Sequence, residues 1–274
     1  MTTKTAMAIA AHPDDIEFLM AGTLMLLRDA GYQIHYLNIA SGCCGSMTLP
    51  RDEIAAVRRR EAQAACTAIG AVHHESLCDD LEIFYDKPLL AKVASIVRQV
   101  APEILLTHSP ADYMEDHTNA CRLAVTAAFT RGMPNFPVDP DRPIVTQKVT
   151  VYHAQPYGNR DPLRQLIWPD FFVDTSSVIE QKVQMLACHA SQKDWLDQTQ
   201  GVDSYLQALR DADRERGEMS GVYELAEGWR RHLHAGFCDP GDDPLSIALK
   251  GFLHQRDVDE FPTGGDSFAR PPAR

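Results

Sequence analysis

Residues 5–17 read TAMAIAAHPDDIE, an apolar run that ends abruptly in an imidazole, a proline and two carboxylates. A continuous run of small and branched apolar residues is the pattern of a strand buried on both faces. Charged groups at the mouth of such a strand are unfavourable to desolvate, so His12, Asp14 and Asp15 either cap a following helix or form a site. Residues 33–40, QIHYLNIA, repeat the apolar pattern and run into SGCCGS. Between the two strands, residues 17–31 space Phe18, Leu19, Leu24, Leu26 and Leu27 as a helix and stop at Gly31.

The alternation continues with a helix over 51–69, a short strand near 71–77, a helix over 88–100, a strand over 103–108 and a helix over 116–130. Strand and helix in strict alternation predict an α/β fold with a mostly parallel sheet and helices on both faces. Ligands of such sheets collect at the carboxyl edge. His12 with Asp14 and Asp15, the loop 41–46 and the segment 108–117 all follow strands on that edge. Beyond residue 131 the regularity weakens: strands are expected over 145–154 and 170–174, and helices over 176–190 and 203–215. The reading is one domain over 1–260, with a core over 1–130 and an irregular C-terminal extension over 131–260 that shapes the substrate pocket. The Gly- and Pro-rich stretch 261–274 is expected to be a mobile tail.

The chain of 274 residues carries a formal net charge of -12, which disfavours a nucleic-acid partner and points to a small-molecule substrate. No apolar run approaches the roughly 20 residues that cross a bilayer. The start of the chain has no signal-peptide pattern. Seven cysteines, scattered and without a CxxC, read as reduced thiols. Together these set a cytoplasmic expectation, and apolar residues on the later helices make a homo-oligomer reasonable.

Three groups are candidates for chemistry. The first joins His12, Asp14 and Asp15 to the loop SPADYMEDH that ends at His117. A hydrolytic metal site needs about three His or carboxylate ligands, an open position and a nearby carboxylate that is not a ligand. His12 and Asp15 reach one ion from a single turn, leaving Asp14 as a base; the alternative is that Pro13, Asp14 and Asp15 only cap a helix. The second is Cys43-Cys44, a candidate thiolate nucleophile in what otherwise reads as a tight turn. The third is His73-His74, whose adjacent side chains point to opposite faces of a strand and chelate poorly.

The motif AHPDDIE at 11–17, an Arg- and Glu-rich helix from Arg58 to Gly70, and the D-x-x-x-D-H loop from Asp112 to His117 resemble the PIG-L or LmbE-like deacetylases, with a weaker likeness at 182–192. The resemblance implies a Rossmann-like three-layer fold and a zinc-dependent N-deacetylase acting on a small, glucosamine-containing substrate. His12, Asp15 and His117 would be the zinc ligands and Asp14 the general base, although this ligand set also accepts iron or another divalent ion. Arg58 would hold a substrate group, or else be a surface arginine of RRRE. Glu17 would support the site, or else be a solvated residue at the helix start.

Relatives commonly read H-P-D-H where this chain has Met114-Glu115-Asp116-His117. A thioether cannot protonate a leaving amine, so His189 is the leading substitute, with Tyr113 and His153 behind it. The alternatives are an amidase of a thiol conjugate or other non-sugar amide, and a binding protein that keeps the pocket without turnover.

Overall fold

The computed structural model describes residues 4–192 and 205–256. Strand β1 (Thr5–Ala10) is buried along its whole length. Its side chains divide by alternation: Ala6, Ala8 and Ala10 enter one apolar layer and Met7 and Ile9 the other. This two-sided burial explains why the strand reads as one continuous apolar run. Small Ala residues on the first face leave room for helices α1 (Asp15–Leu19), α2 (Ala21–Asp29), α3 (Arg51–Ala68) and α6 (Ile179–Leu186). Helices α4 (Lys87–Val100) and α5 (Glu115–Thr130) cover the second face.

One sheet of eight strands runs in the order β3-β2-β1-β4-β5-β7-β6-β8. Strands β2 (Gln33–Asn38), β3 (Val72–His74), β4 (Ile104–Thr107) and β5 (Thr150–Ala154) join β1 in parallel. The chain runs outward from β1 through β2 to β3 and then crosses back to β4 on the other side of β1, so the crevice between the carboxyl ends of β1 and β4 is the topological switch point. Beyond β5 the sheet turns antiparallel through β7 (Ala226–Arg231), β6 (Phe171–Asp174) and β8 (Leu253–Gln255). Helix α7 (Tyr205–Ser220) packs near this part, and α8 (Pro244–Ala248) starts at Asp243, whose side chain accepts from Ser246 N–H.

The helix expected over 17–31 is two helices, broken at Met20. The break creates a new N-terminus with unsatisfied N–H groups, and Glu227 of β7 answers it by accepting from Gly22 N (2.8 Å) and Thr23 N (2.9 Å). That carboxylate is paired with Lys182 Nζ at 2.7 Å, which also lies 2.7 Å from Asp213 on α7. All three side chains are fully buried. Strand β7 was not foreseen because AEGWRR reads as a charged surface segment, and its burial depends on these distant partners. The tail 261–274 lies outside the described residues.

Candidate metal centre

The end of β1 is folded back on itself. His12 N–H donates to Asp15 Oδ2 (2.7 Å), and Asp15 N–H returns to His12 O (3.2 Å). Asn38 Nδ2 fixes the same carbonyl at 2.6 Å. The tight turn forces Asp14 to φ 103°, a left-handed conformation uncommon for a non-glycine residue. Asp14 and Asp15 therefore leave the turn in different directions although they are adjacent.

The second segment arrives from β4. Asp112 Oδ1 accepts from Met114 N (3.2 Å) at the start of α5 and stands 3.0 Å from His117 Nδ1. One donor atom each from His12, Asp15 and His117 lies within 4.8 Å of the others. His117 Nε2 is 3.4 Å from Asp15 Oδ1, and His12 Nδ1 is 3.5 Å from Asp15 Oδ2. The opposite nitrogen of each ring is anchored by a carboxylate: His117 Nδ1 by Asp112 and His12 Nε2 by Asp116 at 2.9 Å. Carboxylates that take the far N–H of a histidine orient its other nitrogen toward a metal.

Charge describes the same pocket. Burial lowers the pKa of His117, but the Asp15 and Asp112 carboxylates carry it up to about 10. Burial likewise opposes protonation of His12, and hydrogen bonding to Asp116 and Asp15 carries it up to about 9. Burial raises Asp15, yet His117, His108 and His12 hold it well below the usual carboxylate range. Two imidazolium charges thus stand where a cation would be expected, and an acceptor-rich pocket with two nitrogens and one carboxylate fits a divalent ion.

Asp14 stands beside this donor set and is not part of it. Its Oδ2 accepts from Tyr205 OH at 2.8 Å and lies 3.3 Å from Arg58 Nη2. Burial raises its pKa, the Arg58 guanidinium lowers it, and Asp15 raises it, with a net shift upward. Arg58 is turned inward: it is 4 % exposed and its guanidinium is taken by Pro13 O, Gln192 Oε1 and Asp14. The surface reading of RRRE fails here because Arg58 faces the turn that carries Asp14.

His189 is fully buried, with Nε2 2.9 Å from Glu17 Oε1 and Nδ1 without a partner among the described residues. Glu17 is itself buried and accepts from Tyr36 OH at 2.9 Å, so the solvated reading of this residue does not hold. Burial lowers the pKa of His189, and the Glu17 charge more than reverses that. Tyr113 is 58 % exposed, with its ring edge-on to His117 at 5.5 Å. His153 is buried behind β4, with Nδ1 2.9 Å from His108 O. His74 pairs with His35 on the sheet edge at 3.0 Å.

Sequence reasoning gave no role to His108, Asp112, Asp116, Gln192 or Tyr205. His108 Nε2 accepts Ala11 N–H (2.9 Å), and its ring stacks on His117 with centroids 4.2 Å apart. Asp112 and Asp116 stood in the quoted loop motif, and that was a usable signal. Tyr205 had none, since 190 residues of chain separate it from the turn it contacts.

Residues 7–129 match the family model described as PIG-L: GlcNAc-PI de-N-acetylase. The 4-oxalmesaconate hydratase of Pseudomonas putida is 29% identical over 199 residues, covering 69% of this chain and 74% of its own length. The diacetylchitobiose deacetylase of Thermococcus kodakarensis is 27% identical over 195 residues, covering 69% and 70%. The N,N'-diacetylchitobiose deacetylase of Pyrococcus horikoshii shares the fold, with a TM-score of 0.70, 24% identity and 85% of each chain covered.

Proposed function

We propose, on the match of residues 7–129 to the PIG-L family model, that the protein is a metal-dependent hydrolase that removes an N-acetyl group from a small, amino-sugar-containing substrate. The observation that carries this reading is the pairing of a donor set, His12, Asp15 and His117 within 4.8 Å, with a separate carboxylate, Asp14. A divalent ion, zinc before iron, held by those three residues would polarise the amide carbonyl and lower the pKa of an attacking water. Asp112 and Asp116 keep the two imidazoles in the tautomers that turn a lone pair inward.

Asp14 takes the proton of the attacking water. Its second oxygen is steadied by Tyr205 and Arg58, and its raised pKa brings it closer to the operating range of a general base. The proton that Asp14 gains is the one returned to the departing amine, which answers the loss of a loop histidine at Met114. His189 acts from behind, as a buried charge near Asp14 and Glu17 rather than as a group touching substrate. Arg58 is a positioning residue for Asp14 on the same reading. The seven cysteines, free of disulfides, favour a reducing compartment such as the cytoplasm.

A second reading is addition of the same activated water to a carbon–carbon double bond. Met114 favours it, because an addition releases no amine that needs a proton, and a relative of 29% identity is named as a hydratase.

The deciding experiment measures metal content, acetate release from N-acetylated amino sugars, and hydration of an unsaturated carboxylic acid. The expected result is acetate release that depends on one zinc equivalent at the His12 centre, with kcat down ~10²–10⁴ and that zinc retained in Asp14→Asn. His117→Ala is expected to lose one zinc equivalent relative to wild type. Full turnover in Asp14→Asn, or equal zinc content in His117→Ala and wild type, would refute the assignment; hydration without acetate release would select the second reading.

A further inference from the structure

Away from the proposed ligands, the loop after β2 brings two sulfurs and a carboxylate together. One donor atom each from Cys43, Cys44 and Asp80 lies within 4.8 Å of the others. Ligand atoms about 2.3 Å from a tetrahedral ion stand ~3.8 Å apart, so an inward shift of about 1 Å or less brings the three to coordinating spacing. Among the described residues this is the one such group that contains cysteine.

The arrangement is held by backbone. Ala40 and Cys78 form a parallel bridge just before the two segments converge. Asp80 Oδ1 accepts from Gly42 N (2.6 Å) and Oδ2 from Cys44 N (2.8 Å), while Asp80 N–H donates to Cys43 Sγ (3.4 Å). A carboxylate offers about four lone-pair positions, and the two amides leave lone pairs free for an ion. Cys43 is buried and Cys44 exposed, so the group has both a dry side and an open approach.

We propose that Cys43, Cys44 and Asp80 form a second metal site, selective for a soft divalent cation such as zinc or cadmium, that clamps this loop. Thiolate pairs select such ions over magnesium or calcium. On binding, both thiols release their protons to water and form metal–sulfur bonds, with no change of oxidation state.

The loop so fixed lies directly on Arg58. Gly42 has φ +77°, and a Cβ there would fall 2.5 Å from Arg58 Cδ. A Cβ on Gly45 would fall 2.5 Å from Arg58 Nη1. The clamp therefore holds the wall behind the guanidinium that contacts Asp14, and it is independent of whether the His12 centre hydrolyses anything.

Full-length protein, Cys44→Ser, Cys43→Ser and His117→Ala are titrated with cadmium, following the near-ultraviolet sulfur-to-cadmium charge-transfer band and the bound metal after desalting. The band reports thiolate ligation and is silent to imidazole and carboxylate. The expected result is a band saturating at about one equivalent per chain, unchanged in His117→Ala and lost in both cysteine variants. Bound cadmium is expected to fall by that equivalent in Cys44→Ser, an exposed position where folding is spared. A wild-type protein without the band, or a band of equal size in Cys44→Ser, would overturn the proposal.

Discussion

Replacing Asp112 tests how the centre is built, because two different substitutions remove separable properties. Its Oδ1 accepts both from Met114 N (3.2 Å) and from His117 Nδ1 (3.0 Å), while Oδ2 is buried without a partner among the described residues. An asparagine can keep its carbonyl oxygen in the Oδ1 position and hold both donors, so Asp112→Asn removes the negative charge and preserves the ring orientation. Asp112→Leu removes the acceptor as well, freeing His117 to rotate or change tautomer. Carboxylates behind metal-bound histidines are worth about 10–100-fold in metal affinity. The asparagine variant is therefore expected near ~10-fold weaker zinc binding and the leucine variant near ~100-fold, or about 1.4 and 2.7 kcal/mol. Zinc affinity measured by competition with a chromophoric chelator at fixed pH reads both values. Equal losses in the two variants, or no loss in either, would refute the claim that Asp112 orients His117 through Oδ1.

Two further outcomes follow from buried charge. Lys182→Met removes the buried cation shared by Asp213 and Glu227 and leaves Asp213 with the more distant Arg216 at 3.5 Å, so stability should fall by about 3–5 kcal/mol and Tm by ~6–20 °C at about 2–4 °C per kcal/mol. A calorimetric loss under ~1 kcal/mol would show that the network tolerates the missing cation. In metal-free protein, His12 and His117 titrate near about 9 and about 10, above the unfolded value of about 6.5. A raised pKa stabilises the fold fully below the unfolded value, so that contribution should decline from pH ~6.5 to 10 as each proton leaves. Urea midpoints across this window test it; a midpoint that rises with pH would contradict the sign. Zinc affinity should increase over the same range, because the ion displaces those protons.

Much of the core could be read from the chain because its determinants are local. The apolar run 5–10 and the spacing of HPDD and the DH pair put residue type and position in one short window, and strands β1 to β5 lie within or beside the expected spans. What escaped depends on distant partners. Strand β7 hides behind Glu227 and two arginines, and its burial is intelligible only once Gly22, Thr23 and Lys182 are beside that carboxylate. Arg58 reads as a substrate-holding or a surface arginine because helical periodicity does not show that Pro13 O, Asp14 and Gln192 occupy the space opposite it. His189 reads as a free donor until Glu17, 172 residues away, is found on its ring.

The left-handed turn at Asp14 has an evolutionary edge. A non-glycine residue held at φ 103° carries strain of order 1–3 kcal/mol, and glycine at that position would release part of it. The carboxylate thus occupies the spot where the backbone would welcome having no side chain at all. Selection for robustness alone, in a laboratory or in a lineage that no longer needs the reaction, would be drawn to discard this side chain early, leaving a sturdier scaffold that still gathers its histidines.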